Sequence, residues 1–262
     1  MPRPAPKKRK LNWRLTLRVV LWGGVCVGLA FGGIEVRSFV RHNPQFVLKC
    51  GPRAAACAGV AVHGAAHANM ARIQAVFAQD AGKSVFEIPL NERRRHLLAV
   101  DWVREASIMR VWPDRILVTI EERVPVAFAS LPIGGSARHW LALIDDRGVL
   151  LSLPPRTRFP LPVLSGVTED QTEPERQTRV EAMQHLLADL GPQARDISEI
   201  NAASVEDMRV VSAVGGHTVE LWLGDRNFRS RYLNFVNHYR EMGQDSQAAV
   251  FDLRLDDRIL VR

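Results

Sequence analysis

The 262-residue chain lacks the short motifs that mark most catalytic sites: no G-x-S-x-G, H-E-x-x-H, C-x-x-C or Gly-rich phosphate loop occurs in it. Its eight histidines are scattered. His63 and His67 are four apart, but Gly64 and a predicted strand end between them oppose a helical metal pair. Asp145-Asp146 and Asp256-Asp257 are adjacent carboxylates. In a "DDRG" sequence the acids hold a turn, which is a simpler role than acid–base catalysis. No nucleophile, base and orienting group assemble. No catalytic, metal-binding or cofactor-binding residue is assigned.

Cysteine is scarce too, with three in the chain. Cys26 falls in an apolar run. Cys50 and Cys57 bracket "GPRAAA", whose Gly-Pro turn makes a short loop closable. A Cys50–Cys57 bridge is therefore expected where the compartment is oxidising. A zinc site adding His63 and His67 would match no common ligand spacing.

Acidic residues are absent from the first 18 positions, which carry Arg3, Lys7, Lys8, Arg9, Lys10, Arg14 and Arg18. The formal net charge is +7, so the other 244 residues are formally neutral. The basicity belongs to a tail and gives no reason to expect nucleic-acid binding by a folded surface. Charge of either sign is then missing from Val19 to Ile34, "VVLWGGVCVGLAFGGI". Leu15 and Leu17 extend this run if Arg18 snorkels to the headgroups, giving a transmembrane helix over 19–38. The excess of cations before the run places the N-terminus in the cytoplasm and the remainder across the membrane. A cleaved signal peptide is the rival, but "GLAFGGIEV" offers only a poor small-x-small site. "PKKRK" reads as a topology determinant in preference to a nuclear signal.

Residues 39–57 read as a linker. Order then begins with a strand at "GVAVHG". A helix follows with Met70, Ile73, Val76 and Phe77 on one face and Gly82 as its stop. A shorter helix has Asn91 as its cap, Leu97 and Leu98 inward, and Arg93-Arg94-Arg95 as a solvated run. Two strands follow, with Ala106 and Ile108 on one face of the first and Ile116, Val118 and Ile120 on one side of the second. Trp102 and Trp112 flank the first strand and are expected to close the core.

The β-α-α-β-β order and the stretch "DWVREASIMRVWPDRILVTIEERVPVAF" resemble the FtsQ (DivIB) bacterial cell-division family, with its POTRA docking module. The family pattern falls on Trp102, Val103, Ala106, Arg110, Trp112, Pro113, Leu117, Val118, Glu122, Arg123, Pro125, Val126 and Ala127. Glu122 and Arg123, adjacent on a strand, point to opposite faces and suit a hinge between domains. "LIDDRGVLL", "LPVLSGV", "LWLGDRNFRSRYLNF" and "DLR" extend the resemblance along the chain. The division is then a tail (1–18), a membrane helix (19–38), a linker (39–57), a POTRA domain (58–126) and a β domain (127–262).

The fold class is α+β: after the single membrane helix and the POTRA domain comes an antiparallel sheet carrying two helices. "HWLALIDDRGVLLSL" and the strands around "GGH" read as hairpins. The first helix has Thr172 and Glu175 as a capping box, Val180, Met183, Leu187 and Leu190 as its stripe, and Gly191 as its stop. The second is capped by Asp225 and buries Phe228, Tyr232, Phe235, Val236 and Tyr239.

The closing "AVFDLRLDDRILVR" reads as one half-buried strand over 249–262. Phe251, Leu253 and by parity Leu255 face inward, while Asp252 and Arg254 face out. The resemblance implies a non-enzymatic protein of the bacterial inner membrane at the division septum, with its body in the periplasm. It would bind the FtsB–FtsL pair by strand addition at this last sheet edge and link early and late division proteins. The positions it carries to that contact are Asp252, Arg254, Leu255, Asp256, Asp257 and Arg258. A POTRA-containing outer-membrane assembly or secretion factor is the alternative, but its barrel needs many more strands than follow Ala127.

Overall fold

The computed structural model describes residues 13–51, 57–134, 138–241, 250–255 and 258–261. Arg3, Lys7, Lys8, Arg9 and Lys10 of the basic tail, residues 52–56 of the cysteine loop, and Asp256 and Asp257 lie outside the described residues.

Helix α1 spans Trp13–His42, 30 residues, or about 45 Å at 1.5 Å per residue. Leu21–Arg41 is long and apolar enough to cross a membrane. Trp22, Leu29, Phe31 and Val36 are all uncovered by protein, as lipid-facing residues are.

The chain divides into two compact units. The first takes in α1 and then the described residues up to 65, with 69–100 and 105–121. It contains β1 (Val60–His63), α2 (Met70–Ala75), α3 (Leu90–Leu98), and most of β2 (Val103–Val111) and β3 (Arg115–Glu122). The sheet order is β1-β3-β2, with β1 parallel to β3 so that Val60 lies beside Ile116 and Val62 beside Val118. Ile73, Phe77, Ile88, Leu97, Ile116, Val118 and Ile120 are among its buried apolar residues. Cys50 and Cys57 are joined by a disulfide. Just before it, Leu48 exchanges main-chain hydrogen bonds with Gly82 and Lys83, fastening the incoming chain to the unit.

Several local expectations are corrected here. Helix α2 ends at Ala75, so Met70 stays exposed while Ile73 and Phe77 are buried. Helix α3 starts at Leu90 with Pro89 at the cap, so Asn91 is already inside it. Arg93 is not solvated: it is buried, and its Nε and Nη2 donate to the buried Asp80 carboxylate at 2.6 and 2.9 Å. A buried charge needs a partner at this quality of geometry, and Asp80, from thirteen residues earlier, supplies it. Trp112 does not close a core. It is 64% exposed and meets Phe46 and Phe86 edge-on at 5.3 and 5.0 Å.

The second unit takes in residues 66–68, 101–104 and the described part of 122–262. Its elements are β4 (Pro125–Pro132), β5 (His139–Asp145), β6 (Leu150–Leu151), β7 (Val163–Ser165), α4 (Glu173–Leu190), β8 (Ile197–Asn201), β9 (Met208–Val214), β10 (His217–Gly224), α5 (Phe228–Glu241), β11 (Val250–Asp252) and β12 (Leu260–Val261). They form one nine-stranded sheet in the order β12-β11-β10-β9-β8-β7-β4-β5-β6. Most neighbours are antiparallel, as expected, but β4–β7, β7–β8 and β10–β11 pair in parallel. A helix between β10 and β11 returns the chain to the starting end of the sheet, which is what parallel neighbours require.

Helices α4 and α5 cover one face. Val180, Met183, Leu186 and Leu190 of α4 and Phe228, Tyr232, Phe235 and Tyr239 of α5 share a core with Ala129, Ile144, Ile200, Val210 and Leu221 of the sheet. At the start of α4 the Glu175 carboxylate accepts from the Thr172 N–H at 2.7 Å and hydroxyl at 2.9 Å. Those bonds hold its pKa below the usual range. Asp225 does not cap α5. The helix starts at Phe228, after Asn227 in the left-handed region at φ 56°, and Asp189 of α4 accepts the Arg229 N–H.

Candidate functional site

The residues of the "ER.PVA" pattern do structural work in the second unit. Oε1 of Glu122 accepts the N–H groups of Ala66, His67 and Ala68, each at 2.7 Å, and Oε2 lies 2.9 Å from Nδ1 of His67. Burial raises the Glu122 pKa, but the converging main-chain donors and His67 outweigh it and hold the carboxyl below its usual range. Arg123 Nη1 donates to Asp145 at 2.7 Å. Asp145, fully buried, also accepts the N–H groups of Arg147 and Val149, so it holds the β5–β6 turn as its sequence implied. The Trp102 ring stacks on His67 at 4.8 Å, and its indole N–H donates to the Ser152 carbonyl. Glu122 and Arg123 each have side-chain partners within this unit.

The C-terminal edge is built outward from β10. Outward residues of this strand, Glu220 and Trp222, alternate with the buried Val219, Leu221 and Leu223. Strand β11 lies parallel beside it, with Leu221 next to Phe251 and Trp222 next to Asp252. Phe251 is buried beneath α5, 4.8 Å from the Phe235 ring and 5.9 Å from Tyr239. Leu253 is buried as well, and its N–H donates to the Trp222 carbonyl.

There the strand stops. The Asp252 carboxylate accepts the N–H of Arg254 at 3.2 Å and its guanidinium at 2.8 and 2.6 Å. A carboxylate that captures the main chain two residues on competes with the ladder and favours a bend. The chain accordingly turns back, and β12 pairs antiparallel with β11, Val261 beside Phe251 and Leu260 beside Asp252. The single strand expected over 249–262 is thus two short ones. Leu255 lies past the bend, 49% exposed: the strand ends at Asp252, and the two-residue period that assigned Leu255 to the core carries no further than Leu253. The main-chain groups along 252–261 do not all lie open, since β12 has folded onto β11.

Of the residues assigned from sequence, Asp252 and Arg254 are brought together, Leu255 and Arg258 are exposed, and Asp256 and Asp257 lie outside the described residues. A neighbouring cluster was not singled out from sequence. Arg209 lies over the Trp222 ring at 3.8 Å and Arg254 at 4.9 Å, while Asp207 pairs with both arginines and Glu220 accepts the Trp222 indole N–H. Asp252, then Asp207, keep the Arg254 guanidinium more firmly protonated than usual. The signal for this cluster was present as the outward parity of Glu220 and Trp222 in "TVELWLG".

Comparison with known proteins places these features in a family. A profile described as POTRA domain, FtsQ-type, matches residues 57–123. The cell division protein FtsQ of Koribacter versatilis (strain Ellin345) is 30% identical in an alignment of length 267 that covers 98% of this chain and 72% of the relative. The chain belongs to the FtsQ family of cell-division proteins. FtsQ of Geobacter sp. (strain M21) is 26% identical, with 98% of this chain and 92% of the relative aligned. FtsQ of Actinobacillus pleuropneumoniae serotype 3 (strain JL03) is 28% identical over 66% of the chain. The POTRA match coincides with the β-α-α-β-β order of β1 to β3, and the apolar α1 fits the family's membrane anchoring. The FtsQ resemblance read from the sequence, and the α+β class with a POTRA domain, stand.

Proposed function

We propose that this FtsQ-family chain is a non-enzymatic docking protein of the division septum, held in the inner membrane by α1. Its basic tail lies in the cytoplasm and its body in the periplasm, in keeping with the cations of residues 1–18. It links early and late division proteins and binds the FtsB–FtsL pair by strand addition. We take the functional division as tail 1–18, span 19–38, linker 39–57, POTRA domain 58–126 and β domain 127–262.

One observation carries this reading. Strand β12 is the last of nine, paired on one side only among the described residues, and its Leu260 and Val261, with Leu255 before it, are exposed apolar side chains. An edge of this kind is a template for another strand. Asp252 and Arg254 contribute by shaping the bend that presents β12. Contacts with the partner come from Leu255, Arg258, Leu260 and Val261, continued by Asp256 and Asp257.

The test is binding of the full-length chain, in detergent, to the purified FtsB–FtsL pair of the same bacterium. Val261→Pro removes a main-chain donor from the edge, and Leu260→Asp puts a charge beside it. Each is expected to weaken binding by about tenfold or more. A folded Val261→Pro protein that binds undiminished refutes strand addition at β12.

A further inference from the structure

The nine-stranded sheet has a second end, and it closes incompletely. Strand β6 covers β5 only at Leu143 and Ile144, which lie beside Leu151 and Leu150. From Ala142 back to His139, β5 is paired with β4 on one side, and no described strand lies on the other. The chain leaves this edge at Ser152, whose N–H and hydroxyl donate to Asp101 and whose carbonyl accepts the Trp102 indole N–H.

The direction of the exposed main chain follows from parity. Asp145 donates its N–H toward Val149, on the β6 side. Alternate residues of a strand turn their N–H and C=O to the same side, so Leu141 turns both to the open side. The side chains next to this position are apolar and uncovered on both faces: Trp140 is 40% and Leu141 48% exposed. Ile133, across the end of the hairpin, is exposed as well.

Arginine dominates the charge of the stretch of chain that forms this end. Between Val124 and Thr168 the only acids are Asp145 and Asp146, and they pair with Arg123 and Arg104. The same stretch carries Arg138, Arg147, Arg156 and Arg158, all exposed. We propose that the outer half of β5 is a docking edge, distinct from β12, for an extended segment of another protein that carries both apolar and acidic residues. The segment pairs with the main chain of Leu141, sets its apolar side chains on one face of the sheet, beside Trp140 or Leu141, and directs its acids to the arginines. A second copy of this chain fits less well, because edge-to-edge pairing would bring two basic stretches together.

The probe is a capped, fluorescent peptide of roughly eight residues alternating valine and glutamate, long enough for a typical strand. Its comparators are a valine–lysine peptide and a valine–glutamate peptide with N-methylated amides. Binding to the full-length chain in lipid nanodiscs is read by anisotropy, and its position by hydrogen exchange. The valine–glutamate peptide is expected to bind at least about tenfold tighter than either comparator, and to slow exchange of the Leu141 amide. Leu141→Asp should weaken it by a similar factor, and Arg138→Glu should narrow the gap between the glutamate and lysine peptides. Equal binding of those two peptides, protection at β12 in place of β5, or unchanged binding by Leu141→Asp would overturn the proposal. So would Leu141 protection that rises with protein concentration and a doubled mass, which makes a second copy the occupant. Should Leu141→Asp not fold, the N-methylated peptide tests main-chain pairing from the ligand's side.

Discussion

Three main-chain donors converge on Glu122, and its ionisation should be visible in stability. Three N–H groups and His67 favour the charged carboxylate, and its folded pKa is lowered. The unfolded value is about 4.3. Its contribution is therefore present in full above the unfolded pKa and is lost as pH falls through the lower, folded one. Glu122→Gln should lower stability by about 1.5–3 kcal/mol at neutral pH, the range for hydrogen bonds to charged groups. Urea titrations from neutral pH down through pH 3 should show the two proteins converging in the acid range. A gap that stays constant to acid pH would mean that ionisation is not what the mutation removes.

At the scale of elements, the disulfide should hold the chain entering the POTRA module. It closes a loop of sequence separation 7, for which chain entropy gives about 2 kcal/mol. Cys50→Ser with Cys57→Ser should lower the thermal midpoint by several degrees, and a reducing agent should act likewise on the native protein and not on the double variant. This scale is also where the sequence was most legible. Apolar residues at helical or strand spacing placed Ile73, Ile116, Val118, Val180 and Phe235 inside, and Thr172-x-x-Glu175 marked the start of α4. Such patterns are local and survive without the rest of the molecule. What escaped was set by distant partners. Arg93 looks solvated until Asp80 is beside it, and α5 starts late because Asn227 adopts a positive φ while Asp189 takes the Arg229 N–H. The candidate site was half legible for the same reason. Phe251 and Leu253 follow strand parity, but the bend that frees Leu255 depends on the Asp252–Arg254 bonds.

For the whole molecule, the decisive property is which side of the membrane each part occupies. Protease added to intact spheroplasts should digest the body after residue 42 and leave the basic tail protected. Replacing Lys7, Lys8, Arg9 and Lys10 with glutamine should lower the fraction with this orientation, read by the same digestion. Protection of the body in cells with the native tail would contradict the topology.

The route of the chain between β10 and β11 has a genetic consequence. Because these neighbours are parallel, the outermost strands are not delivered by a tight turn but by α5, and Phe251 settles only between the strand beside it and the rings of Phe235 and Tyr239. Those aromatic residues are buried, yet the shape of the outermost strands depends on them. A selection for lost septal recruitment should therefore recover lesions at Phe235 and Tyr239 alongside those at Leu260 and Val261, and only the latter group should leave hydrogen exchange in α5 unchanged.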